Sequence, residues 1–354
     1  MTAPSNSKNN QKGIPQLMWQ QITNLASKII IIVLPVVVLM QVFCATLPMV
    51  YMDGEYAMYR QQKDYIAKET DYNRVVIFGD SRSKAGFMPD ILGNDVYNLS
   101  LGGITPVETY YMLREYVENH GAPEYLILAY APLHLCRADE NNDGCVLWNR
   151  CIYFHTFNQA DFFELARERR QYDNSYMIDR DHIYLEYTMY QLYFPNKYGT
   201  ALKNAIFGSR YHANMDKYAQ MEAQRGYSLF GVDGVNGGIN GEAKMDDFTY
   251  SDLTDAYLNK IFAYCREQNI KVVLEQLPMT ETSAHVVTDD FYKHYQEYLN
   301  QIAQNNQDVL VNPYIESYSD TLFGDADHLS TEGAAMFSNI IRERYPQIFY
   351  NQSE

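Results

Sequence analysis

Apolar positions along this chain fall into three patterns. The first is a continuous run over residues 29–50, IIIIVLPVVVLMQVFCATLPMV, without a charged residue and with Gln41 as its strongly polar member. About 20 such residues cross a bilayer core as a helix, and membrane helices tolerate a proline such as Pro35. A cleaved signal peptide calls for a shorter apolar region and a small-x-small site, so an uncleaved anchor is expected. The second pattern is a short apolar run ended by Gly, Pro or polar residues, the mark of a parallel strand covered on both faces. It recurs at 74–81 (RVVIFGDS), 95–103 (DVYNLSLGG), 125–132 (YLILAYAP), 271–278 (KVVLEQLP) and 309–315 (VLVNPYI). The third is helical periodicity, at 55–70, 106–119, 251–268, 290–304 and 331–345.

Strands alternating with helices predict an α/β fold, a flavodoxin-like three-layer arrangement with helices on both faces of a parallel sheet. The expected division is a short N-terminus (1–28), a membrane anchor (29–50), a polar helical stalk (51–73) and one domain (74–354). An insertion of about 133–250 interrupts that domain between the third and fourth strands. It is rich in Tyr, Asn and Asp, reads as largely helical, and holds a glycine-laden loop, FGVDGVNGGINGE, at 230–242. Its position at the carboxyl edge of the sheet suits a lid or substrate platform.

Charge sets the orientation of the anchor and removes one class of partner. Lys8, Lys12 and Lys28 precede the apolar run and Asp53 and Glu55 follow it, so the positive-inside tendency puts the N-terminus in the cytoplasm and the domain outside. A formal net charge of -16 argues against nucleic acid, which demands clustered Lys and Arg. It also repels anionic lipid, so attachment to the membrane is expected to be hydrophobic. The 32 tyrosines suit sugar rings but serve cores equally well. Cys136, Cys145 and Cys151 lie close enough in sequence for two of them to pair outside the cytoplasm. None of the cysteines, and none of the histidines at 134, 155, 182 and 212, has metal-ligand spacing, and no cofactor or metal is expected.

Candidate chemistry gathers at strand ends, where doubly wound sheets bind ligands. Ser81 follows the first strand in Gly79-Asp80-Ser81-Arg82. Gly102 and Gly103 follow the second, a few residues after Asn98. Asp325 and His328 follow the fifth, in Gly324-Asp325-Ala326-Asp327-His328-Leu329. Each has a plainer reading: Ser81 as a helix cap, the glycines as a tight turn, Arg82 as half of an ion pair. Asp80 reads as a loop brace and Ser330 as a cap for the last helix. Asp327 rivals Asp325 as the partner of His328, although its adjacency makes the geometry harder.

These blocks, in this order, resemble the SGNH or GDSL hydrolase superfamily. The resemblance implies Ser81 as nucleophile, His328 as base, Asp325 as the group orienting it, and the amides of Ser81 and Gly103 as oxyanion donors. Arg82, Gly102 and Tyr130 are the expected substrate contacts. The third family block, Gly-x-Asn-Asp, is missing: the third strand ends in Ala129-Tyr130-Ala131-Pro132, and Asn141 or Asn142 would have to substitute. A membrane helix just ahead of the serine and a degraded third block are similar to a membrane-anchored subset, the D-alanyl transfer protein DltD and the SGNH partners of membrane-bound O-acyltransferases. The subset implies ester chemistry on a cell-envelope or exported polysaccharide, beside an integral membrane partner that supplies the acyl group. The competing expectation is an SGNH-fold glycan-binding or scaffold protein without activity.

Overall fold

The computed structural model describes residues 14–52, 54–68, 72–136, 154, 158–168, 192, 195–230 and 238–350. Its centre is a five-stranded, all-parallel sheet. The strands are β1 (Val75–Gly79), β2 (Val96–Asn98), β3 (Tyr125–Ala129), β4 (Lys271–Glu275) and, after a two-residue strand β5 (Met279–Thr280), β6 (Val309–Val311). They lie in the order β2-β1-β3-β4-β6, while β5 pairs separately with β7 (Ser317–Tyr318). The expected three-layer α/β architecture is present.

Alternation within the strands builds a core on each face of the sheet. Val76, Phe78, Leu126, Leu128, Val272 and Leu274 point to one side, and Val75, Ile77, Ile127, Ala129 and Val273 to the other. All are buried, each large side chain contributing about 1.5–3 kcal/mol by leaving water. The strands are shorter than their apolar runs suggest. β6 stops at Val311 although the run continues to Ile315, because Asn312 makes one more ladder bond, to Leu274 O, and Pro313 has no N–H to extend it.

The helices are α1 (Ile14–Thr46), α2 (Pro48–Tyr51), α3 (Gly54–Ala67), α4 (Ser81–Gly86), α5 (Pro89–Leu92) and α6 (Pro106–His120), then, within the insertion, α7 (Gln159–Glu168), α8 (Pro195–Phe207) and α9 (Ser209–Ala223). After it come α10 (Asp252–Glu267), α11 (Glu281–Ala284), α12 (Asp289–Asn305), α13 (Thr331–Arg344) and α14 (Pro346–Phe349). Capping residues sit where the sequence supplies them: Thr105 and Glu108 form a reciprocal capping box on α6, and Ser330 accepts from Gly333 N on α13.

Two expectations change at the membrane end. The apolar helix starts before residue 29 and stops at Thr46, with the stretch from Met18 to Thr46 long and apolar enough to span a bilayer. The chain then breaks at Leu47, ahead of Pro48, which begins α2. The segment expected to be a free stalk is instead α3, an integral part of the domain. Its Tyr56, Ala57, Met58, Tyr59 and Ile66 are buried, and so are Gln61 and Gln62. The buried glutamines are matched by Tyr97 and by the Leu99 carbonyl, so the polarity that reads as solvent exposure is spent inside. A third core, with Cys44, Tyr51, Tyr59, Ile104, Ala201 and Met221, joins the end of α1 to α3, α8 and α9.

Cys136 is buried, with its Sγ 3.2 Å from Pro132 O. Cys145 and Cys151 lie outside the described residues, as do Asn141, Asn142 and most of the glycine loop.

Candidate active site

Gly79 ends β1 opposite Ala129 of β3. A Cβ on Gly79 would lie 1.8 Å from Ala129 O and 2.7 Å from Ser83 Cβ, so this position admits glycine alone. Asp80 follows and caps α4, accepting from Arg82 N at 2.9 Å and Ser83 N at 3.3 Å. Its other oxygen takes the Ala131 amide at 2.7 Å, which ties the start of α4 to the end of β3. Asp80 is therefore the brace that the sequence suggests, and Ser81 is left at the first position of α4, at the sheet edge. Asn98 holds the other side. It is fully buried and donates to Ser83 O at 3.1 Å and Phe87 O at 3.0 Å while accepting from Ser100 N.

The histidine arrives on a tight loop closed by an antiparallel bridge between Phe323 and Leu329 and by a Gly324 N–H bond to His328 O. Asp325 Oδ1 accepts the amides of Asp327 and His328, both at 2.8 Å, which fixes the carboxylate. Both its oxygens lie 2.9 Å from His328 Nδ1, and His328 Nε2 lies 2.7 Å from Ser81 Oγ. With Nδ1–H given to Asp325, Nε2 is left to accept the serine proton, a tautomer that follows from the network. Burial pushes the Asp325 carboxyl up, but His328 and the two amides outweigh it and hold it down at about 2. Phe230, from the insertion, stacks on the imidazole at 5.0 Å and 20°. Asp327 turns away to Arg82, which leaves Asp325 as the histidine's partner.

Ser81 and His328 open onto a pocket of about 160 Å³, also lined by Asp80, Arg82, Ala131, Leu133, His134, Gly241 and Asp327. Its far wall comes from the ends of the insertion. His134 sits in a single helical turn, Pro132–His134, directly after β3. Its Nδ1 lies 3.0 Å from Asp80 Oδ2, off the N–H direction and on an oxygen that already takes Ala131 N, so the contact is a charge pair rather than an aligned hydrogen bond. Burial opposes a charge on His134, yet Asp80 holds its pKa above the ordinary histidine range. The same pairing, with Arg82 and the Ala131 amide, overrides burial to keep Asp80 at about 2. Among the described residues nothing hydrogen-bonds to His134 Nε2.

Arg82 is nearly buried, and its Nη2 is held by Glu242 Oε2 at 2.6 Å and by Asp327. The structure thus gives Arg82 a structural ion pair at the rim in place of an open anion site. Glu242, fully buried, also accepts from Leu133 N at 3.3 Å, pinning both ends of the insertion beside the pocket. Gly102 and Gly103 are buried outside the pocket lining. Gly103 takes a left-handed φ of 72°, and Gly102 O accepts from Tyr59 at 2.6 Å. Tyr130 is buried too and spends its hydroxyl on Thr109 at 2.6 Å, a core role where a substrate contact was expected. Phe230, His134 and Glu242 are site residues that sequence reasoning missed. Among the described residues no group of His, Cys, Asp and Glu forms a metal cluster.

Residues 25–345 match the model of the DUF1574 family, described as a protein of unknown function. No curated protein matches the chain. Ten chains of known structure do. One, a crystal structure of a candidate acylhydrolase from Bacteroides fragilis, is 14% identical, with 82% of this chain and 96% of that chain covered at a TM-score of 0.38. Because the family match runs from the apolar helix to the last long helix, this chain belongs to the DUF1574 family.

Proposed function

We propose that this protein is a membrane-anchored, serine-dependent O-acyltransferase or esterase of the SGNH type. Its acceptor would be a cell-envelope or exported polysaccharide outside the cytoplasm, and a membrane-bound O-acyltransferase would supply the acyl group. The observation that carries this reading is the unbroken Asp325–His328–Ser81 relay at 2.9 and 2.7 Å.

In the proposed reaction the Ser81 hydroxyl attacks an ester or thioester carbonyl while His328 Nε2 takes its proton. Asp325 holds the ring and stabilises the imidazolium that forms. The same proton then goes to the leaving oxygen or sulfur, and an acceptor hydroxyl or water cleaves the acyl-serine by the reverse route. Asp80 takes the amides of Arg82 and Ser83 but not that of Ser81, which serves as one oxyanion donor. His134, whose pKa Asp80 raises, supplies a second N–H from the pocket wall in place of the missing family asparagine. A pocket of about 160 Å³, roughly five waters' share of liquid volume, suits a short acyl chain.

The test is covalent labelling of the purified full chain by a fluorophosphonate. Wild type is expected to react, and Ser81→Ala to abolish labelling. A folded wild type that stays unlabelled with small, reactive probes would sink the enzyme reading and leave the inactive glycan-binding scaffold.

A further inference from the structure

We propose that α8 and the start of α9 form an interfacial hairpin, lying in the lipid layer that α1 crosses and bound there by apolar burial and by acidic phospholipid headgroups. Ile206 and Phe207, at the tip of α8, are each 75% exposed, more than any large apolar residue of the apolar helix itself, where Ile31 reaches 70%. Leu202 one turn earlier and Tyr211 and Met215 on α9 are exposed as well. The spacing 202, 206 and 211, 215 puts each pair on one helix face. The opposite face of α8 packs inward through Ala201, so the helix is amphipathic with its outer apolar side uncovered.

The position of the hairpin says what covers it. Gln41, inside the apolar stretch of α1, donates to Tyr198 OH on α8 at 2.6 Å. Asn204 donates to Tyr51 O at 3.1 Å, and Asn214 to Met49 O and Met52 O at 2.9 and 3.0 Å. The hairpin is thereby fastened to the last turns of α1 and the chain just beyond them. Gln41 lies about 7 Å of helix rise before Thr46, within the roughly 5–10 Å depth to which interfacial helices bury their apolar face. A surface continuous with the span at that depth meets lipid first.

Charge points the same way. The chain as a whole carries -16, yet residues 195–215 hold Lys197, Lys203 and Arg210 and no Asp or Glu. A basic, amphipathic segment beside a span is the chemistry that acidic headgroups recognise. The repulsion expected from net charge is reversed locally, where it matters.

The proposal assumes that α1 spans the bilayer, and the experiment separates the two claims. Full-length protein is placed in nanodiscs of phosphatidylcholine and phosphatidylglycerol, with bimane attached at Phe207→Cys, at Leu39→Cys in the span, or at Leu310→Cys on the exposed edge of β6. The parent chain sets the background. With acyl-chain-brominated lipid, the labels at 39 and 207 are expected to emit to the blue and lose most of their intensity, and the label at 310 to stay aqueous. Loss at 39 without loss at 207 overturns the hairpin proposal while the span stands. No loss at either overturns both. A blue-shifted but unquenched label at 207 in protein that carries a stoichiometric copurifying protein replaces lipid by a protein partner and also overturns it. Lys203→Glu is expected to weaken quenching at 207 only when phosphatidylglycerol is present, and an equal effect in pure phosphatidylcholine rules out the headgroup contact.

Discussion

At the scale of single residues, the pocket is a study in how one carboxylate is shared. Asp80 caps α4, holds β3 through Ala131 and faces His134, so one side chain sets the position of Ser81 and the charge of the residue opposite. If His134 donates to the oxyanion, His134→Ala is expected to lower turnover about 10²–10³-fold, as loss of one such donor does, with little change in KM. His134→Gln should recover part of this through its amide N–H. Because Asp80 raises the histidine's pKa, wild-type turnover should fall with rising pH as His134 loses its proton, and the His134→Gln profile should lack that limb. A pH profile identical in both would show that His134 only packs. Ser81 was legible in the sequence because it follows directly from β1, whose pattern is plain, and Asp325 and His328 because their Asp-x-x-His spacing stands just ahead of the last helical pattern. His134, Phe230 and Glu242 were not, since they lie in or beside an insertion whose path back to the sheet edge is written in no periodicity. For His134 one signal did exist: it stands a few residues past β3, where the third block of the SGNH pattern that the sequence resembles is missing.

Among elements, the helices and strands of the sheet domain lie where their sequence patterns place them, because burial on both faces writes each strand as a continuous apolar run. The helix at 54–67 shows where such reading fails. Its glutamines and tyrosines look like a solvated stalk, yet hydrogen bonds to Tyr97 and the Leu99 carbonyl let Gln61 and Gln62 be buried, and only tertiary partners reveal that. The junction after α1 depends on the same kind of contact. Asn214, fully buried, satisfies the Met49 and Met52 carbonyls. Asn214→Ala should leave both without that donor and cost about 1–3 kcal/mol, read as a lowered unfolding midpoint in detergent with fluorophosphonate labelling of the folded protein unchanged. Loss of labelling at full stability would mean that the junction acts on the site directly.

For the whole molecule, one buried charge gives stability a pH dependence of predictable sign. Lys84 is fully buried, donates to Gly226 O at 2.7 Å and Asn98 O at 3.3 Å, and is pushed down to about 7 by burial. Between that value and the ordinary lysine range the unfolded chain binds the extra proton, so stability rises with pH, by at most about 1.4 kcal/mol per pH unit from this group. Below about 7 both states are protonated and the gain is absent. Lys84→Met has nothing to titrate, so the stability difference between wild type and variant should shift in favour of wild type from about pH 7 to about pH 10. Parallel unfolding curves over that window would refute it.

The third core has a consequence for delivery. Cys44 at the end of α1 is packed in the same cluster as Tyr59 and Ile104 of the domain, so the anchor is bolted to the domain, not tethered by a slack linker. A catalytic head on a loose leash samples a wide volume and dilutes itself over it. One fixed to its post keeps the mouth of its pocket at a constant height and bearing over the bilayer. Under the proposed function, a donor confined to the same membrane would meet the serine by sliding in two dimensions, while a polymer acceptor would have to come to the head, because the head does not reach out to it.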